Sequence, residues 1–275
     1  MLTGTVVDRP DRVKTSYPLL PAGVSDPVRA TKTDPPRRTK LSEQLTAFLA
    51  REIVGGRLRP AQPVPPEAEL GVRFGLSSVV VRESLRSLEG VGMLRVQHGK
   101  RTTVLDSTEW NLLAPLVQEA YLAEGLGAGL AEDLYEVRLV LEPPTAAWAA
   151  ARAPDGLGGE LLDLSRRMTQ LADGSAAVQE FLGLDRRFHQ ALASGSRNAV
   201  LRSVLRYLHS FLANWACSQV SPNDLPALAR QHADVAQAVA GRRPTRASRA
   251  MAAHLEFAKA LETGGPIRVV EDPAR

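Results

Sequence analysis

The hydrophobic and polar positions of this chain follow a helical period over most of its length. From about residue 108 to residue 262, seven segments each carry apolar residues three and four positions apart, with polar residues between them. Short breaks rich in Gly, Pro, Ser and Asp separate these segments. The pattern predicts an all-α helical bundle, in which the second segment is kinked or split at Pro143 and Pro144.

A different pattern occupies residues 65–104. A short amphipathic helix is predicted to end at Gly75, because glycine accepts the left-handed conformation that is common just past a helix. Ser77 is a good N-cap for a second helix over residues 78–90. Two short strands within residues 94–105 then flank a tight turn with the letters HGKR. This order predicts a winged helix-turn-helix with a small β-hairpin wing, within a mainly α protein.

Charge is unevenly divided along the 275 residues. Residues 1–105 carry 17 Lys and Arg against 10 Asp and Glu, whereas the rest of the chain carries 17 against 20. Arg82 and Arg86 lie one turn apart on the second short helix, within reach of phosphates or base edges. A basic head on a nearly neutral body is typical of a DNA-binding domain joined to a sensor domain. The alternative is an ordinary helical hairpin with solvated arginines.

The sequence argues against disulfides, cysteine-rich zinc sites, membrane-spanning segments and a secretion signal. Cys217 is the only cysteine, so neither an internal disulfide nor a zinc site built from several cysteines is possible. No apolar run approaches the length that crosses a membrane, and the N-terminal region carries Asp8 and Asp11 rather than a secretion-type apolar core. We therefore expect a cytoplasmic protein without a membrane partner.

Four polar side chains of the bundle have a spacing that suits a metal. Asp185 and His189 are four residues apart and share one helix face. His232 lies nine residues before Gly241, which ends its helix, and His254 lies ten residues after the proline that begins the next. In an antiparallel hairpin both lie about 13–15 Å from the turn, at one level. Carboxylate and imidazole together suit zinc, nickel, manganese or iron.

The alternative is that these are separate core or surface histidines. His209 lies outside the set of four, and we interpret it as structural or as a surface residue.

Residues 41–104 resemble the DNA-binding domain of GntR-family transcription regulators. The matching pieces occur in the family's order: GGRLRP, PPEAEL, FGLS, VRESLRSLE and QHGK. The resemblance implies that the N-terminal end of the second short helix enters the major groove of double-stranded operator DNA, and that the wing tip enters the minor groove. Together with the two arginines above, it gives the following candidate DNA contacts: Ser77, Ser78, Val79, Arg82, Arg86, His98, Gly99, Lys100 and Arg101.

This chain departs from the family at the reading positions. Many members have arginine where this chain has Ser78 and threonine where it has Val79, and some have arginine where it has Ala68. Serine cannot make the bidentate contact with guanine that arginine makes. The resemblance therefore does not transfer an operator sequence, and Arg82 becomes the strongest single candidate for a DNA contact.

Residues from about 132 to 256 resemble the FCD domain, the C-terminal ligand-sensing domain of FadR-type GntR regulators. The matching pieces are DLYEVRLVLEP, LDRRFHQALA, QHADVAQAVAGRR and AMAAHL. Metal-binding members of that group use one aspartate and three histidines, which correspond here to Asp185, His189, His232 and His254. The resemblance implies a divalent transition metal, with zinc as the first choice.

Such a metal commonly anchors a small organic acid effector. Arg138 occupies the position of an arginine near this cavity, where it can pair with the effector's carboxylate. The alternative is a salt bridge from Arg138 to Glu142, one helical turn away. The metal can also be purely structural.

The whole chain is predicted to have four segments and one function. The segments are a disordered tail at residues 1–36, a winged helix-turn-helix at 37–105, an FCD-like effector and dimerisation domain at 106–263, and a flexible tail at 264–275. The predicted function is that of a homodimeric regulator, expected to be a repressor, whose operator affinity responds to the acid. The alternatives are a helical metalloenzyme using the aspartate and histidines, and a DNA-binding protein without an effector.

Overall fold

A computed structural model of the chain describes residues 37–97, 101–152, 154–172 and 178–264. Ten α-helices and one antiparallel pair of strands make up this described part. The predicted tails at residues 1–36 and 265–275 lie outside it. So do the predicted wing-tip contacts His98, Gly99 and Lys100.

The N-terminal part of the described chain forms the predicted winged helix-turn-helix. Gly75 ends the second helix in the left-handed conformation, with φ of 64°. The Ser77 hydroxyl accepts a hydrogen bond from the backbone N–H of Val80 at 3.4 Å, and so caps the third helix. The elements are α1 (Arg37–Val54), α2 (Glu67–Phe74), α3 (Ser78–Gly90), β1 (Leu94–Arg95) and β2 (Thr103–Val104).

A fourth helix, α4 (Pro115–Ala123), packs on the winged helix-turn-helix. Val117 and Ala120 are buried in the same hydrophobic core as α1 and α3. Arg57 adds polar contacts, because its guanidinium donates to Glu52 at 2.7 Å and to Glu124, just past α4, at 2.8 Å. We call α1 to α4 with the β-hairpin the reader.

Six further helices form the predicted bundle. Helix α5 packs along α10, α6 packs along α9, and α9 and α10 form an antiparallel hairpin. Their buried apolar faces form a second hydrophobic core, separate from that of the reader. The elements are α5 (Gly127–Arg152), α6 (Leu157–Ala172), α7 (Val178–Gly195), α8 (Ala199–Gln219), α9 (Leu225–Ala240) and α10 (Pro244–Thr263).

Of the kink or split predicted at Pro143 and Pro144, the split is wrong, because α5 is one helix on both sides of the prolines. Tyr135 and Ala149 lie on opposite sides of the pair and are both buried in the bundle core. This packing outweighs the two backbone hydrogen bonds that the prolines cannot make. One of the carbonyls left without its helical partner belongs to Val140, which is 72% exposed, so water can reach that part of the helix.

None of the helices described is both long enough and apolar enough to cross a membrane.

Gly92 provides a test of the turn between α3 and the hairpin. Its φ is +76°, and a Cβ built on it would lie 2.1 Å from the carbonyl oxygen of Glu109. Gly125 has a similar φ of +71°, with nothing within 4 Å of such a Cβ, so Gly125→Ala is the matched control. We expect Gly125→Ala to lower the free energy of unfolding by about 1–2 kcal/mol, the cost of the left-handed conformation alone.

Gly92→Ala must also displace a backbone oxygen, so we expect a clearly larger loss. Urea unfolding of both variants measures the difference. Equal losses would contradict the close contact with Glu109.

Candidate functional site

The start of α3 is the exposed end of the reader. Ser77 and Ser78 are exposed, and the side chain of Val79 is 49% exposed. One turn later, the guanidinium of Arg82 donates to the Glu67 carboxylate at 3.2 Å, and both side chains are accessible to solvent. The predicted contacts on α3 are therefore free of the protein's own core.

A groove of about 730 Å³ runs between α3 and the hairpin. Arg82, Arg86 and Arg101 all line it, so three of the predicted cationic contacts face one concave surface. The hairpin is fastened beside α3 because the Glu89 carboxylate accepts the backbone N–H of Val96 at 3.1 Å. This arrangement presents positive charge and exposed backbone to a phosphate-bearing partner.

The bundle brings the four predicted metal ligands together. Asp185 and His189 come from α7, His232 from α9 and His254 from α10. Their ligand atoms all lie within 4.8 Å of one another. The Nε2 atoms of His189 and His254 are 3.2 Å apart, and the Asp185 Oδ1 lies 2.9 Å from Nε2 of His232.

The second nitrogen of each histidine already has a partner outside the cluster. An imidazole whose Nδ1–H donates a hydrogen bond presents the lone pair of its Nε2, which is the form that binds metal. The three acceptors of the Nδ1 atoms are Glu142 Oε2 at 2.6 Å for His189, the Leu228 carbonyl at 2.8 Å for His232, and Gln231 Oε1 at 3.3 Å for His254.

This geometry fits a cation. With Nδ1–H of His232 donating to Leu228, the buried lone pair of its Nε2 faces the Asp185 carboxylate at 2.9 Å, which is an acceptor against an acceptor. Three imidazole nitrogens and one carboxylate oxygen directed at one point require positive charge between them, which either a proton on His189 or a metal ion can supply. Three imidazoles with one carboxylate are a donor set that divalent transition metals prefer.

Two charged side chains control the state of His189. Burial by itself lowers the pKa of this imidazole, but the charges of Glu142 and Asp185 outweigh burial and raise the pKa to about 9. Burial opposes ionisation of Glu142 as well, but Arg138 and His189 hold the pKa of this carboxyl well below its usual range. The pKa of His254 lies well below its usual value because of burial and the neighbouring imidazoles.

Arg138 satisfies the alternative offered by the sequence and also reaches the cluster. Its Nε donates to Glu142 Oε1, and its Nη2 lies 3.4 Å from Nε2 of His189. His209, interpreted from the sequence as structural or as a surface residue, is buried, and its Nε2 lies 3.0 Å from the same Glu142 oxygen. Glu142 therefore holds three side chains from three helices.

The sequence indicated the four candidate ligands, but it did not indicate the residues that orient them. Glu142 entered only as the i+4 partner of Arg138, and Gln231 not at all. A buried carboxylate in the middle of an apolar helix was the one available signal for Glu142.

A small cavity lies against the cluster. It measures about 30 Å³, space for a few water molecules. Asp185, His254, Arg138, Tyr135 and Glu262 are among the residues that line it. Apolar side chains from α7, α8, α9 and α10 form much of the remaining wall. The cavity therefore places a cationic side chain and the candidate metal centre next to one enclosed volume.

Two protein families match the chain in the same two parts. Residues 41–104 match the bacterial regulatory proteins of the gntR family, and residues 133–257 match the FCD domain. These spans cover the reader's helix-turn-helix with its wing and most of the bundle. The DNA-binding fold and the ligand-sensing fold expected from the resemblance are confirmed.

Three similar proteins are named as transcriptional regulators. An uncharacterized HTH-type transcriptional regulator of Mycobacterium tuberculosis is 32% identical, over 64% of this chain and 71% of its own length. The galactonate operon transcriptional repressor of Escherichia coli is 28% identical, over 59% and 70%. The Glc operon transcriptional activator of Escherichia coli is 28% identical, over 81% and 89%. This chain belongs to the GntR family of transcriptional regulators, in the FadR-type group that carries an FCD domain.

Proposed function

We propose that this protein is a repressor whose affinity for operator DNA is controlled by a small organic acid bound at a metal site in the bundle. The observation that supports this proposal most is the convergence of three imidazole Nε2 atoms and one carboxylate beside an enclosed cavity. Two relatives are named for operons, one of them for galactonate, which is a sugar acid. Their names include both a repressor and an activator, so the direction of control is part of the proposal.

The residues proposed to hold the metal are Asp185, His189, His232 and His254. Zinc is the first choice because it is four-coordinate with nitrogen and oxygen ligands and accepts a further oxygen ligand without redox change. When bound, the metal supplies a positive centre that attracts an acid's carboxylate or hydroxyl. Arg138 lines the same cavity and provides a second, permanently charged contact for that carboxylate.

The reader supplies DNA binding in this proposal. Arg82, on the second turn of α3, is proposed to reach base edges in the major groove. Arg86 and Arg101 are proposed to contact phosphates on either side. A homodimer would present two such readers to a pseudo-palindromic operator, as the two-fold symmetry of such sites requires.

Control requires that the acid bind two arrangements of the bundle with different affinity. The cavity of about 30 Å³ is too small for an acid of several carbon atoms, so binding favours an arrangement in which α8 and α10 lie further apart. Leu112 and Tyr121 contact both hydrophobic cores, which gives the bundle a route to the reader.

Arg82→Ala tests the proposed base contact. Loss of a bidentate contact costs about 1–3 kcal/mol, so we expect operator affinity to fall by roughly 5- to 150-fold. Arg167→Ala, which removes an exposed arginine on α6, is the control and should leave affinity unchanged. The measurement is a gel-shift titration at fixed salt, on an operator selected from random duplex DNA. Unchanged affinity in Arg82→Ala would rule out the assignment.

Glu142→Gln tests the orientation of His189. The neutral amide weakens the bond to Nδ1, and loss of such a partner typically lowers metal affinity by about 10- to 100-fold. Glu136→Gln, an exposed position on α5, serves as the control. Competition with a coloured zinc chelator gives both affinities. If both variants bound zinc like the unmodified protein, Glu142 would have no role in the site.

His232→Ala compares the proposed site with its neighbour. We expect this variant to bind no zinc at the bundle site and to bind operator, but to lose the response to acids. His209→Gln should keep one zinc per chain, since His209 belongs to the other possible group, with Glu142 and His189. Zinc analysis and gel shifts with hydroxy acids, sugar acids and dicarboxylates provide the readout. An acid response retained by zinc-free His232→Ala would show that the metal has no part in control.

A further inference from the structure

Glu262 carries a buried carboxyl group that has no role in the proposed metal site or in the reader. It lies in the last turn of α10, its residue is only 7% exposed, and it lies beyond the residues that match the FCD domain. The Tyr135 hydroxyl donates a hydrogen bond to this carboxyl group. Its Oε2 has no hydrogen-bond partner at all.

The unpartnered oxygen belongs to a side chain that lines the cavity beside the metal cluster. Asp185 and His254 contribute to the same wall, and so does Arg138. Apolar residues, with Ala216 among them, form part of the same wall and offer no side-chain hydrogen-bond donor. Burial raises the pKa of Glu262 to about 7, as expected for a carboxyl without enough donors.

The backbone of the same residue is fixed in place. The indole N–H of Trp215 on α8 donates to the carbonyl oxygen of Glu262 at 3.2 Å. The Glu262 side chain is thus held at both its ends, by Trp215 through the backbone and by Tyr135 through the carboxyl group. The Tyr135 contact acts on the carboxyl group itself and fixes its direction, and an acceptor of fixed direction discriminates between ligands.

We propose that Glu262 determines which acids the cavity accepts, by accepting a hydrogen bond from a hydroxyl group of the effector. This inference rests on the proposed function, in which the effector's carboxylate lies at the metal and Arg138. Glu262 then meets a hydroxyl carried on a more distant carbon. The ligand class is a hydroxy acid with a hydroxyl group beyond the one next to its carboxylate, as in sugar acids.

Other groups fit this position less well. A second carboxylate would face the Glu262 carboxyl group, and one of the two would have to take up a proton before both could occupy the cavity. An ammonium group would pair with Glu262, but it would enter a cavity that also contains Arg138 and, at its exposed side, Arg186. A methyl group would leave Oε2 buried and unpaired. A hydroxyl group donates to Oε2 without bringing charge.

Glycerate and lactate form the sharpest pair of probes. Both have a carboxylate and an adjacent hydroxyl, and they differ only in a hydroxyl or a hydrogen on the third carbon. Calorimetry with the full-length, zinc-loaded protein should give an affinity for glycerate about tenfold or more above that for lactate. Glu262→Leu should remove or reverse this ratio, because an apolar side chain of similar size favours the methyl group of lactate.

Two further variants separate this role from a structural one. Glu262→Gln keeps a hydrogen-bonding oxygen and should keep the preference for glycerate, even if Glu262→Leu proves too unstable to study. Glu256→Leu also removes a carboxylate from α10, at a position that does not line the cavity, and should bind both acids like the unmodified protein. Zinc content is measured in each variant, so that a change in the metal is not mistaken for a change in Glu262.

The possible failures are distinguishable. If neither acid binds the zinc-loaded protein, the proposed effector site is wrong, and the role of Glu262 fails with it. If both acids bind with equal affinity, or if Glu262→Leu keeps the preference, only the role of Glu262 is overturned. In that second case zinc-dependent acid binding still supports the proposed function.

Discussion

The carboxylate of Glu142 is the contact on which the interior of the bundle depends. Arg138 would be an isolated cation in a low-dielectric core without it, and an unpaired buried charge is strongly destabilising. The same carboxylate fixes His189 with its Nε2 facing the cluster, and it binds His209 on a third helix. One buried acid thus neutralises an arginine, selects a histidine tautomer and ties α5 to α7 and α8. The geometry of the candidate metal site depends on these contacts of Glu142.

The reader does not end at the wing, because the segment after β2 and helix α4 both belong to it. Trp110 donates to the Leu105 carbonyl at 3.2 Å, and the backbone N–H of Asn111 donates to Val91 at 2.9 Å, so the segment after β2 is fastened to the reader. Helix α4 shares the reader's core, and Arg57 binds the residue just after it. The next change of direction is at Gly125, whose φ of +71° favours glycine. In the proposed mechanism of control, a movement of the bundle would therefore reach α4 and the reader as one body.

Local signals predicted some features, and long-range packing decided others. The turn between α2 and α3 depends on Gly75 and Ser77 alone, so its position could be read from the chain. The four candidate ligands could be found because helical spacing and the resemblance to the FCD domain agree on them. The continuity of α5 could not, because burial on both sides of Pro143 overrides a local preference. Nor could Glu262, whose unpaired oxygen matters only after α10 meets α5 and α8.

The position of Trp215 connects the cavity in the bundle to the start of α5. Its indole donates to Glu262 at the end of α10, and its ring lies against Gly127 at the start of α5, where a Cβ would approach the ring to 2.8 Å. Helices α8, α10 and α5 therefore meet at one tight contact, two residues from Gly125. An acid that separates α8 from α10 cannot leave this contact unchanged, because close-packed interiors shift as units rather than deform. In the proposed mechanism of control, the start of α5 therefore moves with Trp215, and α4 and the reader move with it.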